Sequence, residues 1–381
     1  MVVVASSVLS NNLPRLATAG RAIVDAESGQ PVILRGVNRS GLEYAEPAER
    51  GFLASAGISE SELDHIVRVW GANVVRIPFN QDWLLNGRGR FSGADYLEAI
   101  DRIIFWASRA GAYTLLDLQW LDADAPRGWN RDGSCNRVAA LPNAASIHVW
   151  GIIAERYRSQ SAVLFDIFNE PHDPIRGETT LLDLVDDEGR IHPITTPRVG
   201  MAEWQPWARQ LVRTIRESHP RSLIFVPGVR WAYDLRGMPL TVRNGASEVF
   251  PNVVYSTHVY PWCGRPLRLK YGYARAALRR DKSPSWREAF GSLARHSPVF
   301  IGEWGGGPEH VKWGESLARY ARWLGIGWTA WSWSDWPRLV LDAQAQRYDE
   351  TDFGRIVRLQ LTATRSTDAR QRSANINSPN F

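Results

Sequence analysis

The chain has 381 residues, 44% hydrophobic and 22% charged, and no apolar run in it approaches the roughly 20 residues a bilayer-spanning helix needs. Its net charge of +5 comes without a Lys/Arg block, a zinc-finger spacing or an RNA-binding signature, so neither a nucleic-acid nor a membrane partner is implied. Cys135 and Cys263 are too few for a disulfide scaffold and match no metal-ligand spacing; they form one disulfide in an exported protein or stay as thiols.

Residues 1–20 read as an irregular lead without the basic start and long apolar stretch of a secretion signal. Secretion then requires that a leader was removed, and a cytoplasmic location is the alternative. The stretch RAIVDAESGQPVILRGVN (21–38) reads as a hairpin turning at ESGQ and running into a strand at 32–37. Seven more apolar strand candidates follow: NVVRIPF (73–79), YTLLDLQ (113–119), AVLFDIFN (162–169), SLIFVPG (222–228), NVVYSTHVY (252–260), PVFIGEW (298–304) and GWTAWSW (327–333). They are near-continuous apolar runs, as expected of parallel strands covered on both faces. Helical patterns fall between many of them: SESELDHIVRVWG with Ser59 as N-cap, GADYLEAIDRIIFWASRAG, MAEWQPWARQLVRTIRESH and HVKWGESLARYARWLG.

Eight strands with intervening helices predict an α/β fold, a (β/α)₈ TIM barrel spanning 21–362 as a single domain with an N-terminal hairpin and extended upper loops. A doubly wound open sheet fits less well, because the glycine-rich nucleotide turn is missing after the first strand. Longer loops are expected at about 38–58, 120–141, 171–200 and 261–284, and the polar tail 363–381 reads as disordered.

In such a barrel the active site gathers where the strand C-termini meet. Read by strand, those ends are Asn38, Arg76, Gln119, Asn169 with Glu170, Trp231 just past strand five, His258 with Tyr260, Glu303, and Trp331. Glu170 and Glu303 end strands four and seven, which brings them to one mouth from opposite sides. A carboxyl pair suits glycosidic bond cleavage: one acid stays protonated for the leaving oxygen, the other stays charged to attack or stabilise the sugar cation. Either glutamate alone reads as a strand-end salt bridge; its neighbours favour the catalytic reading. Arg76 is placed to hold Glu303 charged, Tyr260 to donate to it, and His258 to orient Glu170. Asn169 shares a facing with Glu170 only if the backbone kinks before Pro171, and its amide then reaches a sugar 2-hydroxyl.

The ordered set LRGVNRSG, VVRIPFN, FNEP, THVYP, IGEWG and GWTAWSW resembles glycoside hydrolase family 5, the cellulase family of retaining (β/α)₈ hydrolases, over about residues 20–340. The resemblance implies Glu170 as acid/base and Glu303 as nucleophile, with Arg76, Asn169, His258 and Tyr260 in support. Trp331 matches the family's sugar-stacking tryptophan, and Trp328 and Trp333 read as packing. One departure is plain: Gln119 stands where the family usually has histidine, and an amide hydrogen-bonds a hydroxyl but carries no charge. The expected activity is an endo-β-1,4-glucanase, with mannanase, another β-glucanase or an exo-glycosidase as alternatives, and a non-catalytic carbohydrate-binding barrel as the rival of another class. The substrate is a polysaccharide or oligosaccharide, the protein a monomer, and no cofactor or metal is implied. Among the 18 tryptophans, Trp120, Trp231 and Trp262 are candidates for further sugar subsites, and Trp129, Trp204, Trp207 and Trp336 also fall in or near upper loops.

Overall fold

Eight parallel strands close on themselves, each paired with its neighbours in sequence. They are β1 (Arg35–Asn38), β2 (Val74–Asn80), β3 (Tyr113–Trp120), β4 (Val163–Asp166), β5 (Ile224–Pro227), β6 (Val253–Val259), β7 (Val299–Trp304) and β8 (Gly327–Ala330). Every one lies on an expected segment. The computed structural model describes residues 13–47, 50–121, 139–174, 180–186, 188–262, 284–343 and 345–362. Trp129, both cysteines, the first twelve residues and the tail from 363 onward lie outside the described residues.

The strands are apolar on both faces because each face meets a different layer. On β2 to β4, Val75, Ile77, Phe79, Leu116, Leu118, Val163 and Phe165 point outward into the helix layer. Val74, Leu115 and Leu164 point inward, where Leu34, Phe225, Val254 and Phe300 complete an apolar plug at the barrel floor. Two residues further along three of these strands the same inward row turns polar: Arg76, Asp117 and Asp166, each fully buried. Side-chain alternation of period two therefore stacks an ionic layer directly on an apolar one. β1 approaches β2 closely at Gly36, where an added Cβ would lie 1.7 Å from the Val74 carbonyl oxygen.

The helical layer includes α1 (Gly93–Ala110), α2 (Ala144–Arg156), α3 (Met201–Ser218) and α4 (Val311–Leu324). α1 is opened by a Ser92/Asp95 capping box and closed by Gly111 at φ 108. It buries Tyr96, Ile100, Ile103, Ile104 and Ala107 at helical spacing, and each large side chain among them contributes roughly 2 kcal/mol through burial. Ser59 caps Glu60–Asp64 by accepting from the Glu62 amide, as its position predicts.

Two expectations need correction. The N-terminal hairpin pairs Leu16–Ala19 with Ala22–Asp25, so part of the expected irregular lead is strand. Its tight turn is at Gly20, whose φ of 56 suits glycine, and ESGQ forms a second turn that returns Pro31 beside Val24. The 171–200 segment contains an antiparallel ladder, Thr180–Val185 with Ile191–Thr196. Asp173 accepts from the Val199 amide at 2.7 Å and closes its base. Trp204 and Trp207 are wholly buried on α3, donating to the Pro227 and Asp183 carbonyls, so they are packing residues and no sugar platforms.

The loop after β8 is tied to the loop after β1. Trp333 donates its amide to Asn38 O (2.8 Å) and its indole N–H to Glu62 (3.0 Å). Glu62 pairs with Arg39 at 2.7 Å, both buried, and the Ser40 and Ser332 hydroxyls bond at 2.6 Å. Removing one partner of a buried pair strands the other's charge. Glu62→Ala is expected to cost about 3–5 kcal/mol in urea unfolding, and a loss below about 1 kcal/mol would contradict this role.

Candidate active site

The polar layer is organised by Arg76. Its Nε donates to Asp166 Oδ2 (2.8 Å), its Nη1 to Asn38 Oδ1 and Glu303 Oε1 (both 2.9 Å), and its Nη2 to Asn169 Oδ1 (3.0 Å). Asp117 Oδ1 lies 2.9 Å from Nη2. The guanidinium is fully buried, and the surrounding carboxylates push its pKa further up from an already high value, against the opposing effect of burial.

Glu303 ends β7. Besides Arg76, it accepts from the Tyr260 hydroxyl at 2.7 Å. Two donors, one on each oxygen, fix the direction of the carboxylate. Burial and the nearby Glu303 and Glu170 raise the Tyr260 hydroxyl well above its usual range, so it stays a donor.

Glu170 lies beyond the last ladder residue of β4. The strand pairing stops at Asp166, but Asn169 N still bonds Leu118 O at 3.0 Å before the chain bends. That bend lets both Asn169 and Glu170 reach the mouth. Arg76 occupies the Asn169 carbonyl oxygen, which leaves the amide nitrogen as the group able to meet a sugar hydroxyl. Glu170 makes its side-chain bond to His258 Nδ1, at 2.7 Å. Burial raises the Glu170 carboxyl to about 8, although Arg76 opposes it. Burial likewise lowers the His258 imidazole to about 3. The contact thus joins two neutral groups at neutral pH.

An oxygen of Glu170 and one of Glu303 lie within 4.8 Å of each other, with His258 Nδ1 between them at 3.6 Å from Glu303. These three form the one cluster with metal-ligand spacing among the described residues. Its donor set, with one acid protonated and its imidazole nitrogen already in a hydrogen bond, is better suited to moving a proton than to holding a cation.

The structure thus gathers Arg76, Asn169, Glu170, His258, Tyr260 and Glu303 into one contact set. Gln119 and Trp331 make no hydrogen bond to either glutamate. The Gln119 amide oxygen is buried without a protein partner among the described residues. Trp331 follows β8 half-buried, donating its indole N–H to Trp336 O at 3.1 Å, with a cis peptide to Ser332. Trp328 and Trp333 are buried packing residues, as read from the sequence.

The candidate subsite tryptophans stand around this set. Trp120 lies 5.9 Å from the Tyr44 ring. Trp262, 40% exposed, stacks on Tyr260 at 4.9 Å and on Trp336 at 6.1 Å, and Trp336 is 68% exposed. Trp231 stacks on buried His172 at 3.7 Å, and its amide donates to Pro171 O. Arg230, Trp231 and Ala232 all have φ near +60, a costly run of left-handed non-glycine residues that holds Trp231 against the chain following Glu170. The sequence reading missed Asp117 and Asp166, although the alternation along YTLLDLQ and VLFDIFN placed both on the inward face.

A family model described as Cellulase (glycosyl hydrolase family 5) matches residues 25–336. Endoglucanase E-5 of Thermobifida fusca is 22% identical over 324 residues, covering 81% of this chain and 53% of that protein. Endoglucanase N of Pectobacterium atrosepticum is 22% identical over 316 residues, covering 81% and 55%. The chain spans about half the length of these curated relatives. Among solved structures, the beta-glucanase SdGluc5_26A from Saccharophagus degradans aligns with a TM-score of 0.67 at 21% identity, covering 94% of this chain and 96% of that one. The catalytic domain of Thermobifida fusca endoglucanase Cel5A aligns at 0.61 and 19%, covering 91% and 97%. At these identities the structural likeness is one of fold.

The Glu170 environment has a consequence for stability. The unfolded chain releases the Glu170 proton near the ordinary 4.5, whereas the folded protein keeps it to about 8, so folding loses stability as pH rises between these values. Glu170→Gln escapes that loss. Its urea midpoint is expected to gain on the wild type from pH 5 to pH 8, and a wild type that gains on the variant over that range would contradict the assigned environment.

Proposed function

The chain belongs to glycoside hydrolase family 5, and from that membership we propose that it is a retaining endo-β-1,4-glucanase in which Glu303 is the nucleophile and Glu170 the acid/base. The observation that supports the mechanism is that one oxygen of Glu170 and one of Glu303 come within 4.8 Å of each other. Retaining pairs stand at about 5 Å, whereas inverting pairs stand some 6.5–9.5 Å apart to admit a water.

The two acids differ in environment. Glu303, held by Arg76 and Tyr260, presents a charged oxygen to the anomeric carbon. Glu170, kept protonated by burial, gives its proton to the departing oxygen, then takes one from the water that releases the sugar. His258 stays neutral beside it and fixes its direction without competing for the proton. Trp331 supplies a flat face for the sugar being cleaved, and the Asn169 amide nitrogen reaches its 2-hydroxyl.

Exposed Trp231, Trp262 and Trp336 along the rim favour a groove that takes a polymer mid-chain over a closed pocket. The glucan preference is supported by similarity to endoglucanases and to the Saccharophagus beta-glucanase, which has been solved in complex with cellotetraose.

Glu303→Gln is expected to lower turnover of carboxymethyl cellulose by more than about 1,000-fold with an unchanged circular dichroism spectrum. Normal activity in that variant would sink the assignment. The basic limb of wild-type kcat/KM should fall near pH 8, where Glu170 loses its proton, and activity that climbs through pH 9 would speak against Glu170 as the acid. On a panel of cellulose, mixed-linkage glucan, mannan and aryl glycosides, internal cleavage of the two glucans is expected. Release of no reducing ends from any of them would favour a binding protein.

A further inference from the structure

Two buried acids have no part in the chemistry above. Asp117 and Asp166 flank Arg76 on β3 and β4, both fully buried. If both were charged, three carboxylates would surround one guanidinium. Their hydrogen bonding differs: Asp166 Oδ2 takes the Arg76 Nε–H at 2.8 Å. Asp117 lies as close to Nη2, at 2.9 Å, but out of line with its N–H, and neither Asp117 oxygen has a hydrogen-bond partner among the described residues. A fully buried carboxylate that touches a cation but accepts no hydrogen bond is poorly compensated, and protonation lowers that cost.

We propose that Asp166 is the charged positioning residue that limits how much of the Arg76 charge falls on Glu303, and that Asp117 keeps a proton and fills its place without adding charge. The inference rests on the reading of Glu303 as nucleophile. The groups facing this hub are Asn38 and Glu43 from β1 and the loop after it, Asp117 from β3, Asp166, Asn169 and Glu170 from β4 and beyond, His258 and Tyr260 from β6 and just past it, and Glu303 from β7. Burial raises Glu43 and Glu170 to about 8 and lowers His258 to about 3, so all three are neutral at pH 7. Burial also raises Asp117 well above the usual carboxylate range against the pull of Arg76, with Asp166 and Glu303 adding to the rise, whereas burial raises Asp166 only to about 6, which leaves it charged at pH 7. That leaves Arg76 balanced by Asp166 and Glu303 alone. With Asp166 present the guanidinium is shared, and Glu303 keeps enough electron density to attack. When Glu303 becomes a neutral ester, Arg76 and Asp166 remain as a matched pair.

The test compares isosteric amides. Asp166→Asn should give Glu303 the whole Arg76 charge, lowering kcat several-fold at unchanged KM. Asp117→Asn removes no charge, so its kcat should stay with the wild type. An equal loss in both variants, or none in Asp166→Asn, would overturn the proposal. A readout free of variants and turnover is carbon-13 NMR of the full chain labelled at aspartate carboxyls. One aspartate carboxyl is expected to remain protonated at pH 7, and complete ionisation of all aspartates would overturn the assignment of Asp117. Because that spectrum does not depend on catalysis, its failure is distinct from the failure of the nucleophile reading, which Glu303→Gln decides.

Discussion

A single guanidinium, buried inside the barrel, ties the site together. Arg76 rises from β2 and bonds Asn38 on β1, Asp166 and Asn169 on and after β4, and Glu303 on β7, with Asp117 of β3 beside it. Its donors leave a planar group in fixed directions, so the strands that satisfy it must hold their register to within hydrogen-bond tolerance. The apolar plug below gives it no solvent to fall back on. The same demand explains why two glutamates at one mouth differ. Glu303 lies inside the reach of Arg76 and is solvated by its charge, whereas Glu170 lies outside it, against a neutral histidine, and keeps its proton. Position relative to one cation thus separates the environments of the two acids.

A second buried cation supports the rim. Arg39, paired with Glu62, fastens the loop after β8 through Trp333 and the Ser40–Ser332 contact, and that loop carries Trp331 and Trp336. Trp262 stacks between Trp336 and Tyr260, so the aromatic rim is continuous with the residue that donates to Glu303. On the proposed reading, a sugar held at the rim and the nucleophile would therefore be mechanically adjacent.

Much of this was legible in the sequence because strand runs and their terminal residues carry strong local signals. All eight barrel strands were readable as apolar runs, and Asn169, Glu170, His258, Tyr260 and Glu303 were readable as residues at or near their ends; Arg76, expected at the end of its strand, is the third residue of Val74–Asn80 and reaches the site from within the barrel. What escaped notice was set by tertiary context. Asp117 and Asp166 lie in the same inward row as Arg76, where a buried acid makes sense only once that cation is known to stand between them. The 171–200 ladder was hidden because Thr180–Val185 and Ile191–Thr196 are short, half-exposed strands whose stability comes from pairing with each other. Trp204 and Trp207, near a loop in sequence, prove to be packing residues; a tryptophan near a loop gives the same sequence signal whether its indole faces sugar or a carbonyl. Trp231 and His172 come together through a left-handed backbone run that no propensity signals.

The central claim, that Arg76 makes Glu303 a nucleophile facing a protonated Glu170, is tested most directly by trapping the covalent intermediate. A cellobioside with fluorine at C2 and a good leaving group slows the second displacement more than it slows the first. Incubation with it should add one cellobiosyl unit to the protein, and peptide mass spectrometry should find that unit on Glu303. A label on Glu170, or turnover to an inverted product with no adduct, would contradict the account.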